Sequence, residues 1–325
     1  MTKTTNHSNH DKSPFHTSRA NDWCAGCGDF GILHSLDKTL TQMGLAPDKV
    51  AVFGGIGCSG KTPYYLGSYG IHTLHGRVIP FATGAKLANP ALTVIAVGGD
   101  GDGLSIGAGH LVNSGRRNVD LTYILFDNGV YGLTKGQASP TLRQGEQTRS
   151  MPEPSQLEQI NPITLAMTSG FTWIGRGYSY DTHQLCELIE QAVHHPGSSM
   201  LTVLQPCPTY NELHDKEWYS GKDLDSGRGR LYSLQDDGFD PLVPDHAEPA
   251  FREQKMLQCL ERAHQWGQRI PTGVFFQDLS RSQLSENIAT RQSDYKIAAP
   301  AQQQICDQQG RSLVGLEALF DTLSV

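Results

Sequence analysis

The chain has 325 residues, 38% of them hydrophobic, and a formal net charge of −7. This length allows a large core in one main domain with an extension. No run approaches the roughly 20 apolar residues of a membrane helix, and the polar N-terminus has no apolar signal-peptide core. A membrane protein is therefore excluded and a cytoplasmic protein expected, while the negative charge argues against nucleic acid as a partner.

The seven cysteines are an odd number and occur without a secretion signal. Reduced thiols or metal ligands are therefore favoured over disulfides.

Composition divides the chain into three predicted regions. Residues 1–20 are rich in Thr, Asn, His and Ser and are expected to form a mobile arm. Residues 21–225 carry the apolar runs and glycine-rich turns of the main domain. Residues 226–325 are rich in Gln and Asp and are expected to be a C-terminal extension at a subunit interface. One amphipathic helix, Pro249–Gln268, is predicted within it.

The main domain has the pattern of an α/β protein. Lys49–Phe53 reads as a strand, and Leu92–Val97 is a continuous apolar run that suits a buried parallel strand. Leu104–Gly115 can form a helix of small residues, and Leu121–Phe126 is the next strand. Together these elements predict a right-handed βαβ unit. Met200–Leu204 is a later buried strand, so we expect a parallel sheet flanked by helices.

Two polar residues follow neighbouring strands of this predicted sheet. Asp100 comes directly after one strand and Asn128 after the next. Ligands of open α/β sheets bind beyond the carboxyl ends of the strands, and oxygen ligands from adjacent ends suit Mg²⁺ on a diphosphate. The Val130 carbonyl is a candidate third ligand. The alternative is a glycine-rich turn with solvated aspartates, which the Asn at the second strand end disfavours.

Four cysteines form a second candidate site. Cys24 and Cys27 have the spacing at which two thiolates can hold one metal centre, and Cys58 and Cys207 each follow a predicted strand end. All four can therefore lie at the edge that carries Asp100. Four thiolates suit zinc or a 4Fe–4S cluster, and the third possibility is four reduced cysteines in tight turns.

These motifs resemble the β subunits of the 2-oxoacid:ferredoxin oxidoreductases, which use thiamine diphosphate. The matching segments, in the family's order, are Trp23–Gly28, Gly55–Gly60, His75–Pro80, Ala82–Asn89, Gly98–Asp102, Tyr131–Gln137 and Pro206–Asn211. Ala25 departs from the family, which usually has Pro there, but no ligand is lost. The resemblance implies the thiamine-diphosphate-binding fold and identifies the cysteine site as a 4Fe–4S cluster.

The resemblance also assigns roles to individual residues. It implies that Lys61 binds the 2-oxoacid carboxylate, that His75 lies beside the cofactor, and that Lys135 reaches substrate or coenzyme A. It implies Mg²⁺ ligation by Asp100, Asn128 and Val130, and cluster ligation by Cys24, Cys27, Cys58 and Cys207. The predicted cofactor-binding residues are Ile56, Gly57, Cys58, Ser59, His75, Gly99, Asp100, Gly101, Asp102, Asn128, Val130, Gly132, Leu133 and Thr134.

The implied reaction is oxidative decarboxylation of a 2-oxoacid to acyl-CoA and CO2, with electrons passing through the cluster to ferredoxin. An α subunit would supply the glutamate that activates thiamine and much of the pocket. We favour 2-oxoglutarate, with pyruvate or another 2-oxoacid as the alternative. A non-oxidative thiamine decarboxylase or synthase with structural cysteines is the competing class, and an electron-transfer subunit without catalysis would leave Asp100 and Asn128 without a role.

Overall fold

The computed structural model describes residues 13–225, 227–313, 315 and 317–323. The first twelve residues of the predicted arm lie outside this part of the chain. In the remainder of the arm, Ser13 hydrogen-bonds Asp37 and Thr41, and Phe15 is fully buried in the core. The arm therefore joins the packed domain before residue 20.

A central sheet organises the described chain. Its strands are β1 Val50–Gly54, β2 Tyr69–His72, β3 Thr93–Gly99, β4 Leu121–Asp127, β7 Trp173–Tyr178, β8 Ser198–Leu204, β9 Leu231–Ser233, β10 Leu242–Val243 and β11 Ile270–Asp278. They lie in the order β10-β11-β7-β8-β4-β3-β1-β2, with β9 paired to β11. The six neighbours β2, β1, β3, β4, β8 and β7 are parallel, and β11 is antiparallel to β7. A short hairpin, β5 (Val130–Tyr131) and β6 (Gln137–Ala138), stands apart.

Helices cover both faces of the sheet. Alternate residues of β1 enter opposite cores: Val50 and Val52 face one, and Ala51 and Phe53 the other. Helices α1 (Asp29–Gln42) and α5 (Thr182–His194) pack on the first face; α2 (Val78–Ala88), α3 (Ala108–Arg117), α4 (Pro162–Ser169) and α7 (Pro249–Ala263) pack on the second. Burial on both faces explains the continuous apolar runs in the sequence.

The predicted helix Leu104–Gly115 is divided in two. A π-helical turn spans Asp102–Ile106 and is followed by α3. Its Gly107 amide donates to the Asp102 carbonyl at 3.1 Å, and a Cβ at Gly107 would lie 2.5 Å from that carbonyl oxygen. The wide turn therefore depends on glycine at this position.

The C-terminal region adds strands to the same sheet. Strands β9, β10 and β11 all fall after residue 225, and β11 pairs with β7. The part of the predicted extension up to Asp278 is thus continuous with the main domain. Helix α7 ends at Ala263, earlier than predicted. Shorter helices complete the chain: α6 Lys216–Ser220 before these strands, and α8 Leu284–Arg291, α9 Asp294–Ile297 and α10 Glu317–Leu323 after them.

None of the helices described here has the length and apolar character needed to span a membrane.

Candidate functional site

The carboxyl ends of β1, β3 and β4 surround a cavity of about 300 Å³. Because these strands are parallel neighbours, the polar residues that follow them meet at one edge. All the residues predicted to bind the cofactor line this cavity, and Tyr131 lines it in addition. The structure therefore brings the predicted set together, and its binding role remains a prediction.

Asp100 is the most enclosed carboxylate of this cavity, with 1% of its surface exposed. It accepts hydrogen bonds from the Gly101 amide at 3.0 Å and the Gly129 amide at 2.9 Å. The hydroxyls of Ser139 and Thr141 also donate to it. Burial nevertheless raises the pKa of Asp100, and these hydrogen bonds only partly oppose that effect. A cation beside the carboxylate would stabilise its charged form.

Asn128 is fixed in place by its neighbours. Its Oδ1 accepts from the Val130 amide at 3.0 Å, and its Nδ2 donates to Gln205 Oε1 at 2.8 Å. Asn211 Nδ2 holds the Asn128 carbonyl at 2.8 Å, and Gly129 adopts φ +74° to turn the chain. The amide oxygen keeps one lone pair, so an ion shared with Asp100 fits this donor set.

Asp102 binds the loops that follow β1 and β2 at the edge of the cavity. Its Oδ1 accepts from the Ile56 amide at 3.0 Å, the Gly76 amide at 2.8 Å and His75 Nδ1 at 2.9 Å. Because Nδ1 of His75 is engaged, Nε2 is the nitrogen left for a cofactor or substrate. Asp102 therefore positions the loops and the histidine, in addition to lining the cavity.

The four predicted cysteines converge beside this cavity. A Cβ on Gly132 would lie 3.6 Å from Cys58 Sγ and 3.9 Å from Cys207 Sγ. The Gly28 amide donates to the Pro206 carbonyl at 3.1 Å and joins the loop of Cys24 and Cys27 to that of Cys207. Trp23 Nε1 donates to the Cys58 carbonyl at 2.8 Å. The thiols of Cys27 and Cys207 are buried and that of Cys24 is exposed.

Burial raises the pKa of the Cys58 thiol to about 11 and the pKa of Cys27 and Cys207 above the usual range. Thiolates at these positions need compensating positive charge, which iron or another metal would supply. Within the described ranges, no three His, Cys, Asp or Glu side chains are spaced to hold a single metal ion.

Two predicted substrate ligands lie outside the cavity lining. Lys61 Nζ contacts Asp22 Oδ2 at 2.8 Å, and this hydrogen bond raises the pKa of the lysine. Lys135 is exposed and adopts φ +83°, with its amide bonded to the Gly132 carbonyl at 3.1 Å. The contacts of these two lysines do not by themselves indicate a role in substrate binding.

Sequence analysis missed the residues that support the site. Ser139 and Thr141 bond Asp100, Gln205 bonds Asn128, and Asp29 is buried beside Cys27. Burial raises the pKa of Asp29 to about 7. The position of Gln205 directly before Pro206-Cys207 was the one sequence feature that could have indicated its place at the site. No sequence feature indicated Ser139 and Thr141, because the β5–β6 hairpin brings them to Asp100.

The fold is that of the thiamine-diphosphate enzymes, as comparison with known proteins shows. The C-terminal TPP binding domain of thiamine pyrophosphate enzymes matches residues 55–203. The C-terminal region of the pyruvate ferredoxin oxidoreductase beta subunit matches residues 207–293.

The chain is 50% identical over 284 residues to a 2-oxoacid:ferredoxin oxidoreductase subunit beta of Saccharolobus solfataricus, covering 86% of this chain and 90% of that protein. It is 44% identical over 190 residues to a 2-oxoglutarate oxidoreductase subunit of Mycobacterium tuberculosis, covering 58% of this chain and 51% of that subunit. A solved 2-oxoglutarate:ferredoxin oxidoreductase from Magnetococcus marinus, with 2-oxoglutarate, coenzyme A and succinyl-CoA bound, superposes with a TM-score of 0.78 at 31% identity and covers 98% of both chains. The chain belongs to the β subunits of the 2-oxoacid:ferredoxin oxidoreductases.

Proposed function

We propose that this β subunit, with an α subunit, oxidatively decarboxylates a 2-oxoacid, 2-oxoglutarate in preference, to acyl-CoA and CO2. Electrons leave through a 4Fe–4S cluster to ferredoxin. The observation that carries the proposal is the adjacency of the two sites. Gly132 lines the cavity of Asp100 and Asn128 and also lies against the sulfurs of Cys58 and Cys207.

In this proposal Asp100, Asn128 and the Val130 carbonyl hold Mg²⁺ on the diphosphate of the cofactor. The buried, raised-pKa carboxylate of Asp100 supports a cation at this position. Thiamine diphosphate would supply the electron sink for the bonding pair left behind on the substrate when CO2 departs. His75 is held through Nδ1 by Asp102, which would leave Nε2 for the cofactor, and glycine at 101 makes room for the ring of Tyr131, which also lines the cavity.

Cys24, Cys27, Cys58 and Cys207 are the proposed cluster ligands. Their convergence from three loops supports a multinuclear centre, and Trp23, 8% exposed, helps exclude water. Lys61 would exchange its Asp22 partner for the substrate carboxylate, and Lys135, exposed beyond the cavity, would contact coenzyme A.

Exposed apolar side chains next to the cavity support an α subunit. Leu133 in the lining is 49% exposed, and Ile106, which contacts Gly76, is 50% exposed. Strand β2 is exposed throughout and ends the sheet. An unpaired edge strand beside exposed apolar side chains is typical of a protein–protein interface. The α subunit would bind this surface and also supply the activating glutamate.

The relatives named for 2-oxoglutarate support that substrate, and pyruvate remains the alternative. The test is coenzyme A-dependent viologen reduction by the complex purified anaerobically, with 2-oxoglutarate and pyruvate in parallel. Reduction that requires 2-oxoglutarate is expected. Reduction with pyruvate and not with 2-oxoglutarate would identify pyruvate as the substrate. Decarboxylation without viologen reduction would favour a non-oxidative thiamine enzyme.

A further inference from the structure

A second, polar cavity shares Asn128 with the first. It has a volume of about 250 Å³ and is lined by Arg143, Arg176, Asp127, Tyr219 and Trp266, among others. This is slightly below the usual volume of ligand pockets, which measure about 300–1,000 Å³. The cavity therefore suits a small molecule.

Two arginines with unused donors face this cavity. Arg176 is 3% exposed and lies over the Phe275 ring; among the described residues its Nε has no hydrogen-bond partner, and its Nη1 donates to the Pro271 carbonyl at 3.4 Å. Arg143 lies 4.9 Å from the Trp266 ring centre, and its Nε likewise has no partner in the described part of the chain. The charge of Asp127 acts on Arg176 and that of Glu146 on Arg143, but neither arginine comes within ion-pair distance of a carboxylate among the described residues. The acidic lining residues are Asp127, which accepts from Thr141 at 2.7 Å, and the exposed Glu158.

We propose that this cavity binds a small oxyanion, a carboxylate or a phosphate, between the guanidinium groups of Arg143 and Arg176. Planar guanidinium donors match such oxygens in pairs, and a buried donor left unsatisfied is costly. Because Asn128 is a wall of both cavities, the occupant and the diphosphate cofactor are expected to affect each other's affinity by the same factor.

The test uses the complex saturated with thiamine diphosphate and Mg²⁺, so that the diphosphate site is filled. Inorganic phosphate and succinate are titrated separately by calorimetry, which distinguishes the two sources of the oxyanion. Saturable binding is expected, weakened at least about tenfold by Arg143→Gln. The affinity of Arg143→Lys, which keeps the charge, should lie between those of wild type and Arg143→Gln. Arg149→Gln changes an exposed arginine paired with Glu212 and should bind as wild type does. No saturable binding of either probe, or equal binding by Arg143→Gln, would overturn the proposal.

A different observation concerns Gln205, which is 2% exposed and lies between the two proposed cofactor sites. Its Oε1 accepts from Asn128 Nδ2 at 2.8 Å, and its Nε2 donates to Cys27 Sγ at 3.3 Å and to the Pro206 carbonyl at 2.9 Å. The amide orientation is determined by its partners. Asn128 Oδ1 accepts from the Val130 amide, so Asn128 Nδ2 needs an acceptor, and Gln205 Oε1 is the atom placed to accept from it.

We infer, building on the proposed function, that Gln205 is a positioning residue that links the Mg²⁺ ligand Asn128 to the cluster ligand Cys27. An N–H donor to a ligating sulfur stabilises the more negative, reduced cluster and raises its potential. Any change at Asn128 on cofactor binding is then transmitted to the cluster through one side chain.

Two variants separate the halves of this link. Gln205→Glu keeps the acceptor for Asn128 and removes the donor to Cys27; Gln205→Met removes both. The midpoint potential is measured by redox titration followed by electron paramagnetic resonance, with iron and sulfide determined on each sample. Both variants should have a lower potential than wild type at unchanged iron, and only Gln205→Met should lose thiamine diphosphate affinity.

Gln147→Met, a substitution at an exposed glutamine, should change neither quantity. Wild-type potentials in both Gln205 variants with a full iron complement would refute the link. Wild-type complex without iron would instead refute the proposed cluster, so the two failures are distinguishable.

Discussion

At the scale of single residues, one hydroxyl connects two buried carboxylates. Thr141 Oγ1 lies 2.5 Å from Asp100 Oδ2 and 2.7 Å from Asp127 Oδ1. One hydroxyl proton cannot be donated to both oxygens at once, so the arrangement favours a protonated form of one of the two carboxyl groups. Burial and the charge of Asp100 accordingly raise the pKa of Asp127 to about 7. A divalent cation on Asp100 would take the place of that proton.

Replacing Asp100 with Ala should weaken binding of thiamine diphosphate and Mg²⁺ by more than about a hundredfold, because an oxygen ligand is lost. Calorimetry on the complex measures the affinity, and iron analysis should show an unchanged cluster content. Asp48→Ala, at an exposed aspartate paired with Lys49, is the control. Wild-type cofactor affinity in Asp100→Ala would contradict the assignment of the magnesium site.

His195 makes stability depend on pH. It is 3% exposed, bonds Thr172 through Nε2 at 2.8 Å, and finds no partner for Nδ1 among the residues that the structure describes. Burial lowers its pKa to about 4, from an ordinary 6.5. Between these values the unfolded chain binds a proton that the folded chain does not bind. The stability contributed by the neutral imidazole is therefore complete above pH 6.5 and is lost as the pH falls toward 4.

We expect this histidine to cost roughly 3 kcal/mol of unfolding free energy between pH 7 and pH 4. Denaturant unfolding of wild type and His195→Gln across that range measures it, since the variant lacks the titration and should lose less stability. His183→Gln, at an exposed histidine, should behave as wild type. Parallel pH dependence of wild type and His195→Gln would disprove the attribution.

At the scale of elements, helix α1 packs on the chain after β7 through a glycine. A Cβ at Gly31 would lie 1.9 Å from the Ser179 carbonyl oxygen, and Ser179 is itself bonded to the end of β8. Since the obstacle is backbone, the contact cannot be relieved by rotating a side chain. This approach sets the position of α1, which directly follows the loop of Cys24 and Cys27.

Gly31→Ala should therefore destabilise the fold by about 1–3 kcal/mol or more. Gly84→Ala is the matched control, because its Cβ would meet nothing within 4 Å and alanine in helix α2 should gain about 0.5–1 kcal/mol. Thermal unfolding of both variants gives the comparison. Equal melting temperatures for the two would contradict the described packing of α1.

At the scale of the whole molecule, the site lies open at the edge of the sheet. The cavity is lined on this chain by the diphosphate-binding residues, and its rim carries exposed apolar side chains such as Leu133 and Ile106. The matched thiamine pyrophosphate domain covers residues 55–203. In the proposed function, a partner chain covers these exposed apolar side chains and closes the cavity.

The full chain purified without its α subunit should show no coenzyme A-dependent viologen reduction with either 2-oxoacid, while addition of the α subunit restores it. Activity is compared at equal iron content, so that cluster loss does not explain the result. Full turnover by the single chain would show that the α subunit is unnecessary.

The sequence by itself determined the family, the parallel βαβ core and the residues that meet at the cavity. Buried parallel strands appear in a sequence as continuous apolar runs. The short motifs that follow such strands meet at one edge of the sheet, because the carboxyl ends of parallel strands lie side by side. All these signals are local. The strand bounds of β3 and β4 differ from the predictions by only one or two residues at their ends.

Only the tertiary structure decided the rest. Contacts between residues far apart in the chain join β11 to the sheet and bury Phe15. Contacts of the same kind bring Ser139, Thr141 and Gln205 to the site. The pairing of Lys61 with Asp22 and the polar cavity of Arg143 and Arg176 depend on them as well. A single sequence carries no periodicity that reports such contacts, because each is fixed by how elements pack and not by the pattern within one element.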